Sequence, residues 1–340
     1  MDVQPDRPRS IPAPRDDSAQ QRRVLVGVDG SPGSRLALVQ ALAEAARRGA
    51  GLDVVSAHPT TLPWTGGSPI DVPDEHHVLR DAQSRMRSFV DDVRSDPAVE
   101  AIPGTGAVRP RIIAVAGAAA EALVDRSGDA EILVVGSRGR GAVRSALLGS
   151  VALHCVTHAA CPVLVVHDLP TAAPAGAPVV VGVDGSPESL AALRAAVEEA
   201  ARRHTGVEVL AAYMPSYYWM DMYSVALPSA AQIRGQVLER SEEMVAQVLA
   251  ERATGPDGGT PTVTVNPVEG AAQDVLVERA RGAAMLVVGG RGRGTMRGLL
   301  LGSIALHCAM HASCPVLVVH PHAVRAPAGV TRRAPALADG

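Results

Sequence analysis

Three glycines and a serine recur at one fixed spacing in two places in the chain. Gly136, Gly139, Gly149 and Ser150 follow the pattern Gly-x2-Gly-x9-Gly-Ser, and Gly289, Gly292, Gly302 and Ser303 repeat it 153 residues further on. Each motif comes after a short run of buried-type residues, ILVV or MLVV. Without side chains, glycines let backbone N–H groups approach a ligand closely, and a helix opening at Gly-Ser adds the positive end of its dipole. Together these suit the holding of an anion such as phosphate. A side chain at Gly136 or Gly289 would push the backbone away from the ligand or be forbidden by a positive φ. A carboxylate stands upstream in each copy, Asp29 in VLVGVDGS and Asp184 in VVVGVDGS. Such an acid can cap the helix that follows it, and it can equally face a ligand; the two roles are compatible. A tight turn alone needs fewer glycines than this, and needs no serine.

The elements that must position these residues come in order twice. Arg23–Asp29 reads as a strand buried on both faces, Arg35–Arg48 as an Ala/Leu-rich helix stopped by Gly49, and Leu52–His58 as a second strand. After a long Pro/Gly/Thr loop (Pro59–Pro73), Glu75–Arg94 carries a helical pattern with Val78, Met86, Phe89, Val90 and Val93 toward the core. Arg111–Ala116, Ala118–Arg126 and Ile132–Val135 read as strand, helix and strand. The glycine loop leads to a helix over roughly Arg144–His158, and Pro162–Val166 closes the half as a fifth strand. From Val179 the pattern restarts. Strands alternating with helices imply right-handed crossovers and a parallel sheet covered on both faces. The expected fold class is α/β, two doubly wound five-stranded parallel-sheet domains in tandem, each of strand order 3-2-1-4-5. In that order the acid ends strand one and the glycine loop follows strand four, on either side of the switch point. The expected organisation is a disordered tail (1–22), a first domain (23–167), a Pro/Ala linker (168–177), a second domain (178–320) and a second disordered tail (321–340).

Bulk properties narrow the function. The formal net charge is −3 over 340 residues, which gives no reason to expect nucleic acid as a partner. There is no lysine, so a Walker A lysine and a Schiff-base lysine are both excluded. The four cysteines (Cys155, Cys161, Cys308 and Cys314) follow no signal peptide, and no apolar run is long enough to span a membrane. Free thiols in a reducing cytoplasm are the expectation.

Other chemistry-bearing residues support quieter readings. The loop arginines, Arg138 and Arg140, then Arg291 and Arg293, either pair with phosphates or are simply solvated. His154 and His158, repeated as His307 and His311, stand at i, i+4, a real metal-ligand spacing. Cys161 and Cys314, however, precede a proline and a buried strand, where a thiol serves as a small apolar residue. No metal site and no catalytic residue is assigned. His58 has no nucleophile and orienting acid to form a triad with. The cluster Tyr213, Tyr217, Tyr218, Trp219 and Tyr223 fits either a partner-docking patch or a lid on its own domain. Strand five ends each half as an apolar edge, so the halves are expected to cover these edges against each other as an internal pseudo-dimer. A homodimer of whole chains and an unidentified protein partner are further expectations.

The VGVDGS strand ends, the doubled glycine loop and the CPVLVVH final strands resemble the universal stress protein family, over about 23–167 and 178–320. The resemblance implies a ligand, a set of contacts and a role. The nucleotide-binding branch of the family holds ATP at this loop. By that resemblance, Asp29, Val135, Gly136, Gly139, Gly149, Ser150 and Val151 would contact ATP in the first half, with Ala57 facing the adenine. Asp184, Val288, Gly289, Gly292, Gly302, Ser303 and Ile304 would do so in the second, with Ala212 facing the adenine. Mg²⁺ would accompany the triphosphate. The two edge strands would lie antiparallel. The function so implied is a cytoplasmic, ATP-dependent regulatory or interaction module of the stress response. The alternative is a slow ATPase or nucleotidyl-transfer enzyme of the same fold.

Overall fold

The computed structural model describes residues 22–58, 75–140, 148–167, 173–214, 229–252, 259–292 and 301–320. The long loop after strand two, the aromatic cluster beyond Tyr213, most of both tails, and loop residues 141–147 and 293–300 lie outside them.

The first half contains β1 (Arg23–Gly27), α1 (Pro32–Arg48), β2 (Gly51–His58), α2 (Glu75–Arg94), α3 (Pro97–Glu100), β3 (Pro110–Ala116), α4 (Ala119–Ser127), β4 (Ile132–Gly136), α5 (Ser150–His158) and β5 (Val163–Val166). The second contains β6 (Val179–Gly182), α6 (Pro187–Arg202), β7 (Val207–Tyr213), α7 (Ala230–Arg252), β8 (Val263–Glu269), α8 (Ala272–Arg279), β9 (Met285–Gly289), α9 (Ser303–His311) and β10 (Val316–Val319). The strand order is β3-β2-β1-β4-β5-β10-β9-β6-β7-β8, a single ten-stranded sheet. Each half is parallel and has the order read from the sequence, with strand one between strands two and four.

Alternation along the strands divides the core into two layers. Val24 and Val26 face α1 and α2, whereas Leu25 faces α4 and α5. In α2, Met86, Val90 and Val93 are buried and Phe89 is partly so; Ala82 joins them, a position the pattern does not single out. Helix α1 starts by ordinary rules: Ser31 caps it by accepting from the Ser34 amide at 3.2 Å, and Pro32 occupies the first helical position. It ends at Gly49, whose φ of 57° is the left-handed conformation that favours glycine. At the corresponding place after α6 the chain has His204, at φ 52°.

Two details depart from the sequence reading. Helix α5 begins at Ser150 rather than near Arg144, because Gly149 is extended (φ −73°, ψ 154°) and serves as the N-cap. The short helix α3 and a 3-10 turn at Thr105–Ala107 have no counterpart in the expected elements.

The edges β5 and β10 meet antiparallel, as expected, with Leu164 opposite Leu317. These two leucines are equivalent positions of the two halves, so a pseudo-two-fold axis passes through that pair. Side-chain bonds repeat about it. His167 Nε2 pairs with the Ala309 carbonyl at 2.8 Å, and His320 Nε2 with the Val156 carbonyl at 2.9 Å. On the other face of the sheet, the buried carboxylates Glu44 (α1) and Glu199 (α6) each pair with both Arg48 and Arg203, so each arginine bonds acids of both halves. Arg47 and Arg202 flank the cluster at 3.0 and 2.9 Å.

Candidate functional site

Strand β1 delivers Val28, whose amide donates to the Val55 carbonyl at 2.9 Å, and then turns away at Asp29. The turn needs Gly30, whose φ is 79°. Strand β4 runs out beside it at Gly136. The loop beyond it is closed at its base: the Ser137 amide donates to the Val166 carbonyl, and the Gly149 amide to the Ser137 carbonyl, each at 2.7 Å. The second copy repeats the closure through Gly290 to Val319 and Gly302 to Gly290, at 2.8 and 2.7 Å.

The acid and the loop are in direct contact. Asp29 Oδ1 accepts from the Ser31 amide at 2.9 Å and Oδ2 from the Arg140 amide at 2.8 Å. A Cβ on Gly139 would lie 2.7 Å from that same Oδ2, and one on Gly292 2.7 Å from Asp184 Oδ2. The middle glycine is therefore what lets the loop pass over the carboxylate. Burial works against ionisation of Asp29, but the bonds from Ser31, from the Arg140 amide and from Ser34 outweigh it and hold the carboxyl below its ordinary value. In the second half Asp184 Oδ1 accepts from both the amide and the hydroxyl of Ser186, at 2.9 and 2.6 Å.

Crowding, rather than backbone torsion, explains the first loop glycine. Neither Gly136 nor Gly289 has a positive φ, which corrects one of the two reasons expected for them. A Cβ on Gly136 would lie 2.8 Å from the Gly33 carbonyl oxygen, and one on Gly289 2.9 Å from the Glu188 carbonyl. At Gly149 a Cβ would find only ordinary contact, 3.4 Å from the Ser137 oxygen. That glycine instead starts α5 without a side chain, and no side chain caps α5 or α9. Helices α1 and α6, by contrast, are capped by their own Ser31 and Ser186. The first-turn amides of α5 and α9 thus open beside the loop, at Ser150 and Ser303, both exposed.

The family model described as "Universal stress protein family" matches residues 21–167 and again 177–320. The chain belongs to the universal stress protein family. A universal stress protein of Mycobacterium tuberculosis is 36% identical over 303 residues, covering 87% of this chain and 95% of its own length. One from Mycolicibacterium smegmatis is 33% identical over 308 residues, covering 89% and 99%. Among solved structures, a universal stress protein from Archaeoglobus fulgidus has the same fold, with a TM-score of 0.61 at 18% identity, covering 89% of this chain and 99% of that one.

In this universal stress protein the residues singled out from sequence fall at one end of each half-sheet. Asp29, Gly136 and Gly139 are brought together with the start of α5, and Asp184, Gly289 and Gly292 with the start of α9. Val135 and Val288 have side chains sealed in the core, so only their main chain can face a ligand. Val151 and Ile304 are half-buried in the first turns of α5 and α9. Ala57 and Ala212 lie at the ends of β2 and β7, each beside strand three.

The Arg140 guanidinium, for which the sequence leaves two roles open, lies over Gly30, where a Cβ would be 2.6 Å from Nη2. His58 bonds the Ser56 hydroxyl at 3.2 Å, and burial, then Arg85 and Arg140, hold its pKa below the ordinary value. The four cysteines are buried and their thiols are pushed up to about 12 by burial, which suits packing and not nucleophilic chemistry. His154 and His158 stack on each other, with ring centroids 4.3 Å apart. Among the described residues no group of three or more His, Cys, Asp or Glu is placed to hold a metal ion.

Sequence reasoning misses two features. The Glu44–Arg48–Glu199–Arg203 cluster leaves no signal in either helix alone, because its partners across the halves lie 151 and 159 residues apart. The clasping role of His167 and His320 has one available signal, their identical place at the end of both CPVLVVH strands.

Proposed function

We propose that each half of the chain binds one ATP, and that the nucleotide regulates conformation or partner choice rather than serving as a substrate for rapid turnover. The observation that carries this is the contact between acid and loop: Asp29 holds the Arg140 amide and Gly139 leaves room for it, and Gly292 comes equally close to Asp184 in the second half. That contact fixes the foot of a glycine-bearing loop beside an uncapped helix start, where backbone amides and the helix dipole favour phosphate. The resemblance of the loop spacing to the ATP-binding branch of the family supports the choice of ATP over other anions. Ser150, Ser303 and the first-turn amides would take the phosphates. Mg²⁺ would travel with the triphosphate, held by phosphate oxygens and water, since both oxygens of Asp29 already accept from loop or turn amides.

No group at the described site is arranged to activate a water, so any hydrolysis should fall well below the ~1–10³ s⁻¹ common among enzymes. The chain would act in the cytoplasm, as a homodimer or with a further protein partner. No described helix is long and apolar enough to cross a membrane. Mass spectrometry of the natively purified chain tests the reading. Co-purified ATP that is lost when both Gly136 and Gly289 are replaced by valine supports it; a chain that never carries or takes up adenine nucleotide refutes it.

A further inference from the structure

One of the positions at which the two sites differ lies outside the glycine motif, at the start of the helix after strand one. The second residue of α1 is Gly33; its counterpart in α6 is Glu188. In the first half the loop closes directly onto the helix start: a Cβ on Gly33 would lie 2.5 Å from the Arg138 carbonyl oxygen. The first turn of α1 carries no acid. In the second half Glu188 packs against Gly289, where a Cβ would be 2.9 Å from its carbonyl carbon and 3.0 Å from its own Cβ. Its side chain, 17% exposed, reaches Arg291 of the loop, with Oε1 3.4 Å from Nη2. Arg291 corresponds to Arg138. A negative charge therefore stands at the second loop, paired with a loop cation and favoured by the dipole of α6. The loop cation is thereby engaged by a carboxylate of the protein itself.

We propose that Glu188 sets the phosphate-charge preference of the second half, making it the weaker triphosphate site and the one that discriminates less between nucleoside mono- and triphosphates. This rests on the nucleotide reading above. The carboxylate partly neutralises the loop and repels each added phosphate charge, while the adenosine moiety carries no charge for it to repel. One half of the chain would then respond to ATP only at high concentration, and the other at low.

The test is calorimetric titration of the nucleotide-stripped full chain with ATP and with AMP, for wild type, Glu188→Gln and Gly289→Val. Glutamine keeps the shape of the side chain and leaves the Ser186 cap and Pro187 in place. In wild type, two classes of ATP site should differ by on the order of tenfold, and Gly289→Val should remove the weaker class. Glu188→Gln should tighten that class by on the order of tenfold for ATP, move AMP much less, and leave the tighter class unchanged. ATP affinities unchanged in Glu188→Gln, or AMP tightened as much as ATP, would overturn this proposal while leaving the nucleotide reading intact. Absence of both ATP and AMP binding by the wild-type chain would overturn both.

Discussion

Replacing Glu199 by glutamine should loosen the join between the two halves of the sheet. Glu199 is buried and pairs with Arg48, Arg202 and Arg203, and Glu44 pairs with Arg47, Arg48 and Arg203. The four most buried members, two acids and two arginines, balance in charge; the substitution leaves two buried guanidiniums sharing the Glu44 carboxylate, with Glu131 3.9 Å from Arg48 Nε. Removing one partner of a buried pair costs about 3–5 kcal/mol. Burial alone would raise the Glu199 pKa, but Arg48, Arg203 and Arg202 outweigh it and hold the carboxyl well below its ordinary value. For a depressed carboxylate this stability is fully present above the unfolded value and is lost as pH falls from about 4.5 to about 2. Thermal unfolding followed by far-ultraviolet circular dichroism should therefore show Glu199→Gln melting roughly 5–10 °C below wild type at pH 7. The gap should close as both proteins are brought toward pH 2. Equal melting at pH 7, or a gap that persists unchanged into acid, would refute the reasoning. Replacing Glu44, Arg48, Glu199 and Arg203 together by leucine and methionine should cost less than the single change, because no buried charge is left unpaired.

Gly136→Ala should destabilise the chain by about 1–3 kcal/mol, since the neighbours of the new methyl are backbone atoms, whereas Gly149→Ala should stay within about 1 kcal/mol of wild type by urea denaturation. His204→Gly should stabilise by up to about 1 kcal/mol in the same assay by relieving the left-handed backbone after α6. The four thiols should resist alkylation at neutral pH in the native chain and all react in denaturant, as a mass count would show.

Much of this is legible in the residues, and the rest is hidden for physical reasons. The strands are legible because runs such as VLVV are apolar at every position, the pattern of a parallel strand covered on both faces. Helix α1 is legible from Ser31-Pro32 at one end and Gly49 at the other. The start of α5 is not, because the residues just upstream, Ala146, Leu147 and Leu148, are good helix formers, and only the extended backbone at Gly149 marks the true beginning. That Asp29 stands on one side of the switch point and the loop on the other follows from strand order; that the two touch does not. That the contact is made by a main-chain amide, and that Gly139 is the residue that permits it, requires coordinates. The asymmetry at Gly33 and Glu188 is visible as a letter but not as a contact, since only the fold brings Glu188 to Arg291.

The central claim is one working nucleotide site in each half. Its most direct test is the stoichiometry of ATP bound by the nucleotide-stripped chain at saturating concentration, measured by calorimetric titration. The wild type should bind two per chain. Gly136→Val and Gly289→Val should each bind one, because the added side chain collides with backbone at the foot of one loop and leaves the other untouched. A wild-type value near one, or a Gly136→Val chain that still binds two, would contradict it.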